Sequence, residues 1–243
     1  MVVKPLGLVL AAPFLVHAQF STRLNPATSK SFEDYQKAAE ARMDWSARFT
    51  GAKPGTVTVT PSGREGSVEV KDGMIHDWAS ATVAPGVTVD QVLRVLQNYD
   101  DYKNVYAPEV TESKLLSRLG NHWRPYLRIV KKKGLTVVLN SEYEVEYKAL
   151  GGGRWAVVSR STKIAELDGD KELPPGDGQG FLWRLNAYWS IEPRPEGVYL
   201  ECRTISLSRD IPTGLGWAVR PIVSSLPRES LRATLEATVR ALR

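Results

Sequence analysis

Several residue types that usually carry chemistry are scarce here. Cysteine occurs once, at Cys202, so no intramolecular disulfide can form and the fold must be held by its core. That thiol falls in an expected central strand with no histidine nearby in sequence, which reads as a buried small side chain rather than a nucleophile. Histidine occurs three times, and only His76 and His122 lie beyond the first twenty residues, each isolated at an expected strand end. No metal-ligand spacing, serine-nucleophile elbow, phosphate-binding glycine loop or dinucleotide fingerprint is present, so no cofactor, metal or catalytic residue is assigned. Gly151-Gly152-Gly153 reads as a hairpin turn. Segregated charge is also missing. The 32 basic and 27 acidic residues are interleaved, and the one basic run is Lys131-Lys132-Lys133. Nucleic-acid binding needs a broader basic face and is not expected. The net charge of +5 would instead favour transient contact with anionic lipid surfaces.

Long apolar runs are absent too. The longest, residues 5–16, is too short for a comfortable membrane span. Preceded by Lys4 and followed by Val16-His17-Ala18, it has the form of a secretory signal peptide. Cleavage near Ala18 would release a protein beginning at Gln19, exported to the periplasm or the extracellular space.

What the chain does contain is a long succession of elements. Residues 25–30 read as a linker, and Ser31-Phe32-Glu33-Asp34 as a capping box opening a helix that ends before Gly51. Residues 56–60 and 67–70 alternate like short strands. Residues 75–83 read as a strand, Thr88 as the cap of an apolar-striped helix, and 100–106 as a second short helix stopped by Pro108. Six more strands are expected at 110–116, 122–132, 135–147, 155–167, 181–191 and 198–209. Their short, glycine-rich connections favour antiparallel hairpins. The exception is the 168–180 loop, rich in Pro, Gly and Asp. Ser225 and Pro227 then suit the start of a helix along which Leu231, Leu235, Val239 and Leu242 recur. The expected fold class is α+β: a curved antiparallel sheet of about seven strands, two short helices after the first strand, and a long C-terminal helix.

This element order, together with the stretches 180–189 and 208–217 leading into Ser225-Leu226-Pro227-Arg228-Glu229, resembles the START-like or SRPBCC superfamily. That superfamily includes lipid-transfer domains, pollen-allergen-like proteins and aromatic cyclases, and the chain looks like a bacterial, largely uncharacterised branch of it. The resemblance covers residues 75–243, after a signal peptide at 1–18 and an N-terminal extension at 19–74. It implies a sheet gripping the terminal helix around an apolar cavity. The expected function is an exported carrier or sensor for a lipid, isoprenoid or similar hydrophobic molecule. A cyclase- or hydrolase-like enzyme in the same cavity, and an interaction domain with a filled core, remain open as alternatives.

Strand alternation nominates the cavity wall. In residues 181–191 the apolar phase holds Trp183, Ala187 and Trp189; in 198–208 the small phase holds Cys202 and Thr204. Trp78 and Tyr143 are added from their own strands, with the Glu142, Glu144, Glu146 row assigned to solvent. Tyr126, Arg128 and Arg160 are candidate inward anchors for a ligand head group. Trp217 is placed at the mouth, flanked by the 168–180 loop.

Overall fold

The computed structural model describes residues 21–45, 52–62, 65–132, 136–210 and 216–243, with the side chains of 216–224 left aside. The expected signal peptide and the Trp217 side chain therefore lie outside the described residues.

Asn25 rather than Ser31 opens the first helix. Its side chain accepts the Thr28 amide, and Pro26 takes the first helical position, where its missing N–H removes nothing. The helix, α1 (Pro26–Ala41), follows a two-residue strand, β1 (Thr22–Arg23). Ser31 sits inside it, with its hydroxyl bonded back to the Ala27 carbonyl. The strands β2 (Thr58–Pro61) and β3 (Ser67–Val70) both pair with β4 (Gly73–Pro85). A boundary at residue 74 thus falls within a strand, and the preceding segment contributes two strands to the sheet.

Thr88 caps α2 (Val89–Gln97) through a reciprocal bond with Gln91, and a short 3-10 turn (Tyr99–Asp101) leads into α3 (Tyr102–Val105). Then come β5 (Val110–Leu119), β6 (His122–Lys132), β7 (Thr136–Gly151) and β8 (Arg154–Asp168). Two short pieces follow, β9 (Lys171–Glu172) and β10 (Asp177–Gly178), then β11 (Arg184–Arg194) and β12 (Gly197–Arg209). The last helix, α4 (Gly216–Ala241), begins well before the expected serine-proline start, so Pro227 lies in its interior.

The main sheet runs β2-β4-β12-β11-β8-β7-β6-β5 with antiparallel pairings throughout. Its two faces are covered differently. On the inner face, Leu231 and Leu235 of α4, Leu242 just after it, and Val92, Leu93 and Leu96 of α2 join Trp123, Tyr147, Trp189, Leu200 and Cys202 in the largest core cluster. On the outer face, Phe32 and Ala39 of α1 pack against Ile75, Val158, Tyr188, Ile205 and Leu207. Central strands buried on both faces need apolar residues in both phases, which is why β8, β11 and β12 alternate so weakly in sequence.

The 168–180 segment is tied down at several points. β9 pairs with β8, β10 pairs with β1, and the buried Glu166 carboxylate accepts the Gln179 and Phe181 amides at 2.6 and 3.0 Å. Gly178 is required there, because a Cβ would stand 2.4 Å from that carboxylate.

Candidate functional site

Cross-strand registers arrange the inner face in rows. One runs Ser80–Cys202–Trp189–Val157–Tyr147. Its members from Cys202 to Tyr147 are all buried under α2 and the later turns of α4. Burial pushes the Cys202 thiol well up, so it is not a ready thiolate. The next row runs Trp78–Thr204–Ala187–Ser159–Val145–Trp123. Here Trp78, Thr204, Ala187 and Ser159 are only half-buried, although they lie on β4, β12, β11 and β8 in the middle of the sheet. Leu185 and Ser161, one row further on, are half-buried as well, and the Leu185 amide donates to the Ser161 hydroxyl at 3.0 Å. Small side chains and retained exposure coincide. This strip, less covered than the row beside it among the described residues, is termed the inner recess.

Trp78 forms one wall of this recess, with Gly66 against its ring: a Cβ at Gly66 would come within 2.3 Å of the indole. Tyr143 stands across from Ser161 and is 5% exposed. Its hydroxyl, the Trp78 indole N–H and the Thr82 hydroxyl are buried without a hydrogen-bond partner among the described residues. Burial raises the Tyr143 phenol to about 12, the Ser141 hydroxyl beside it acting in the opposite direction. The phenol is therefore neutral and available as a donor.

The aromatic end is fully bonded. Tyr147 donates to the Leu96 carbonyl at 2.7 Å and its oxygen lies 2.8 Å from the Tyr99 hydroxyl. The Tyr102 hydroxyl donates to the same carbonyl, and Tyr106 meets Thr238 of α4 at 3.0 Å. Trp123 packs between Tyr99 and Tyr147, with ring centroids 5.8 and 5.6 Å away.

Of the side chains nominated from sequence, Trp78, Tyr143, Ala187, Trp189, Cys202 and Thr204 share the inner face. Four do not. Tyr126 and Arg128 point outward and bond the same Asn140 oxygen, at 2.8 and 3.0 Å, with Arg128 also paired to Glu112. Arg160 is held by two 2.9 Å bonds to Glu40 of α1, and Tyr188 donates to that carboxylate too. Trp183 precedes β11 and packs in the outer cluster under α1. The inward-anchor reading of the three polar residues is corrected accordingly: each spends its polar group on a protein partner on the opposite face.

Sequence reasoning passed over the neighbours of His76. The residue is 2% exposed, with Nδ1 3.0 Å from the Ser67 hydroxyl and Nε2 3.2 Å from that of Ser208. Ser208 donates its proton to the Arg209 carbonyl, so Nε2 carries the hydrogen and Nδ1 accepts from Ser67. Antiparallel pairing of β3 with β4 brings Ser67 opposite His76, which a linear reading does not disclose.

A separate hollow of about 320 Å³ opens on the outer face beside the end of α1, lined by Met43, Trp45, Thr58, Ala79, Tyr188 and Arg203 among others. Of its two cations, Arg42 and Arg203, the second is engaged by Asp77 through bonds of 2.8 and 2.6 Å. It is an open and partly charged concavity, unlike the inner recess.

The sequence matches no family model and no curated protein. The antiparallel sheet wrapped on a C-terminal helix is similar in fold to solved structures. A STAR-related lipid transfer protein fragment from Xanthomonas axonopodis matches it with a TM-score of 0.51 and 18% identity, over 73% of this chain and 99% of that one. A protein from Thermus thermophilus, TTHA0849, gives 0.47 at 18% identity, over 68% and 94% of the two chains. Human STARD10 gives 0.46 at 10% identity, over 90% and 82%. At these identities the likeness is one of fold.

Proposed function

We propose that this protein is an exported carrier for a hydrophobic small molecule, a lipid, isoprenoid or similar compound, held in the inner recess beneath α4. The observation that carries the reading is the half-buried strip Trp78–Thr204–Ala187–Ser159 at the middle of the sheet, beside a row that is fully packed. Apolar ligand surface removed from water there is worth about 25 cal/mol per Å² before binding costs. The fold neighbour from Xanthomonas axonopodis is described as a lipid transfer protein, which agrees with this use of the fold. Export rests on the N-terminal sequence alone.

The test is native mass spectrometry of the protein purified from an exporting host, followed by organic extraction and uptake of a fluorescent lipid. A reproducible bound apolar molecule is expected on a chain that has lost its first eighteen residues. Ala187→Phe fills the recess and should abolish that mass increment while thermal unfolding remains cooperative. A clean apo mass with no lipid uptake would refute the carrier reading, and retention of the N-terminal residues would refute cleavage.

A further inference from the structure

From the polar groups around the recess we infer the ligand's chemical class: a neutral molecule that presents a hydrogen-bond acceptor, such as an ester or carbonyl oxygen, to the Tyr143 hydroxyl. The inference rests on the carrier reading and sharpens it.

Two sets of observations support it. The first is what the recess lacks. Among the described residues, the rows Trp78–Thr204–Ala187–Ser159–Val145–Trp123 and Ser206–Leu185–Ser161–Tyr143 carry no ionisable group other than the tyrosine phenol; the registers continue beyond them to the exposed Arg118, whose guanidinium lies over the Trp123 ring, and to His76. The nearest candidates on the same face are committed elsewhere. His76 is bonded to two serines, Glu166 holds the Gln179 and Phe181 amides, and Lys131 at the rim is paired with Glu109 and bonded to Ser230. The buried residues of the described part of α4 are Leu231, Leu235, Ala237 and Thr238, followed by Leu242 just past its end, while Arg228, Arg232 and Arg240 are exposed. A carboxylate or phosphate drawn into this space would lose its water and gain no counter-charge from the described residues, a heavy penalty.

The second is what the recess offers. Tyr143 is almost wholly buried and neutral, and its hydroxyl makes no hydrogen bond of ordinary geometry among the described residues; the Ser141 hydroxyl beside it is spent on the Leu127 carbonyl. The Trp78 indole N–H, at the edge of the ring beside Gly66, is also buried without a partner among the described residues. An unmet buried donor is unfavourable for the empty protein and becomes favourable when a ligand oxygen meets it. Both groups donate and neither can neutralise charge, which selects an uncharged acceptor over an acid.

The test uses matched pairs: palmitic acid with its methyl ester, and retinoic acid with retinal. Each is titrated into the delipidated protein, with tryptophan fluorescence as readout, at a pH where the acids are ionised. At least one neutral member should bind about tenfold or more tighter than its acid. Tyr143→Phe should weaken that neutral ligand roughly five- to tenfold, leave the affinity of the acid unchanged, and leave the apo Tm equal or higher, because a buried unmet hydroxyl has been removed. If acid and neutral partner bind equally, or Tyr143→Phe leaves neutral binding unchanged, the inference is overturned while the carrier reading stands. If no member of either pair binds the wild type, the inference is overturned, and the carrier reading falls with it only where native mass spectrometry also shows a clean apo mass.

Discussion

His76 sits between two hydroxyls, in a strand, with no carboxylate among the described residues bonded to it. Burial therefore acts unopposed and takes the imidazole from 6.5 down to about 4. Between those values the unfolded chain binds a proton that the folded chain refuses. Stability thus rises with pH across this window, and the contribution is fully present above about pH 6.5. It is lost as the solution is acidified toward pH 4. The size implied is on the order of 2–3 kcal/mol. Urea unfolding at about pH 7.5 and pH 4.5 checks this directly. Wild type should lose on the order of 2 kcal/mol more than His76→Asn on acidification, and parallel losses would show that His76 is not the group responsible. The same residue shows how little a single position tells in isolation. His76 looked solitary because Ser208 is 132 positions away and only the β4–β12 ladder brings it near.

At the level of elements, α1 turns an ordinary two-layer arrangement into three layers. It covers the outer face through Phe32 and Ala39, and it brings two polar clamps. Glu40 receives Arg160 and Tyr188; the Tyr35 hydroxyl donates at 2.9 Å to Asp77, which is itself bonded by Arg203. Phe32 is 2% exposed, and Phe32→Ala should reduce unfolding free energy by about 3–5 kcal/mol in a urea titration. Because the recess lies on the other side of the sheet, ligand affinity of the folded fraction should be unchanged; a matching loss of affinity would mean that the faces are coupled. This layer also explains which site residues sequence could find. Thr88, the hairpin turns and the span of β6 follow from local chemistry and were legible. The destinations of Arg160 and Trp183 were not, since β8 and β11 are covered on both faces and their alternation gives no polarity contrast. β11 also begins only at Arg184: the Trp183 amide still donates to the Leu207 carbonyl at 2.7 Å, but the regular register starts one residue later, so the alternation does not carry back to Trp183. Likewise Asn25 outcompeted Ser31 as a cap because Pro26 follows it, a pairing hidden inside what read as linker.

Taken as a whole, the molecule separates its charges from its recess. Paired cations and carboxylates occupy the outer face and rim, from Arg203–Asp77 and Arg160–Glu40 to Arg128–Glu112, while among the described residues the inner rows from Trp78 to Trp123 and from Ser206 to Tyr143 carry no charged side chain. The chain nonetheless carries a net charge of +5, which attracts anionic surfaces over a distance set by the Debye length. Two modes of lipid contact should therefore respond differently to salt. Adsorption to vesicles containing anionic lipid depends on long-range attraction, and sedimentation with such vesicles should fall steeply between about 0.05 and 0.5 M NaCl, as the screening length drops from roughly 14 to 4 Å. Uptake of a neutral ligand into the recess involves no change of charge pairing, so its Kd should move by less than about twofold over the same range. Measuring both on one preparation distinguishes the sites. Binding of the neutral ligand that weakened in step with vesicle adsorption would place it on the charged exterior, and the recess would then be no more than incompletely filled core.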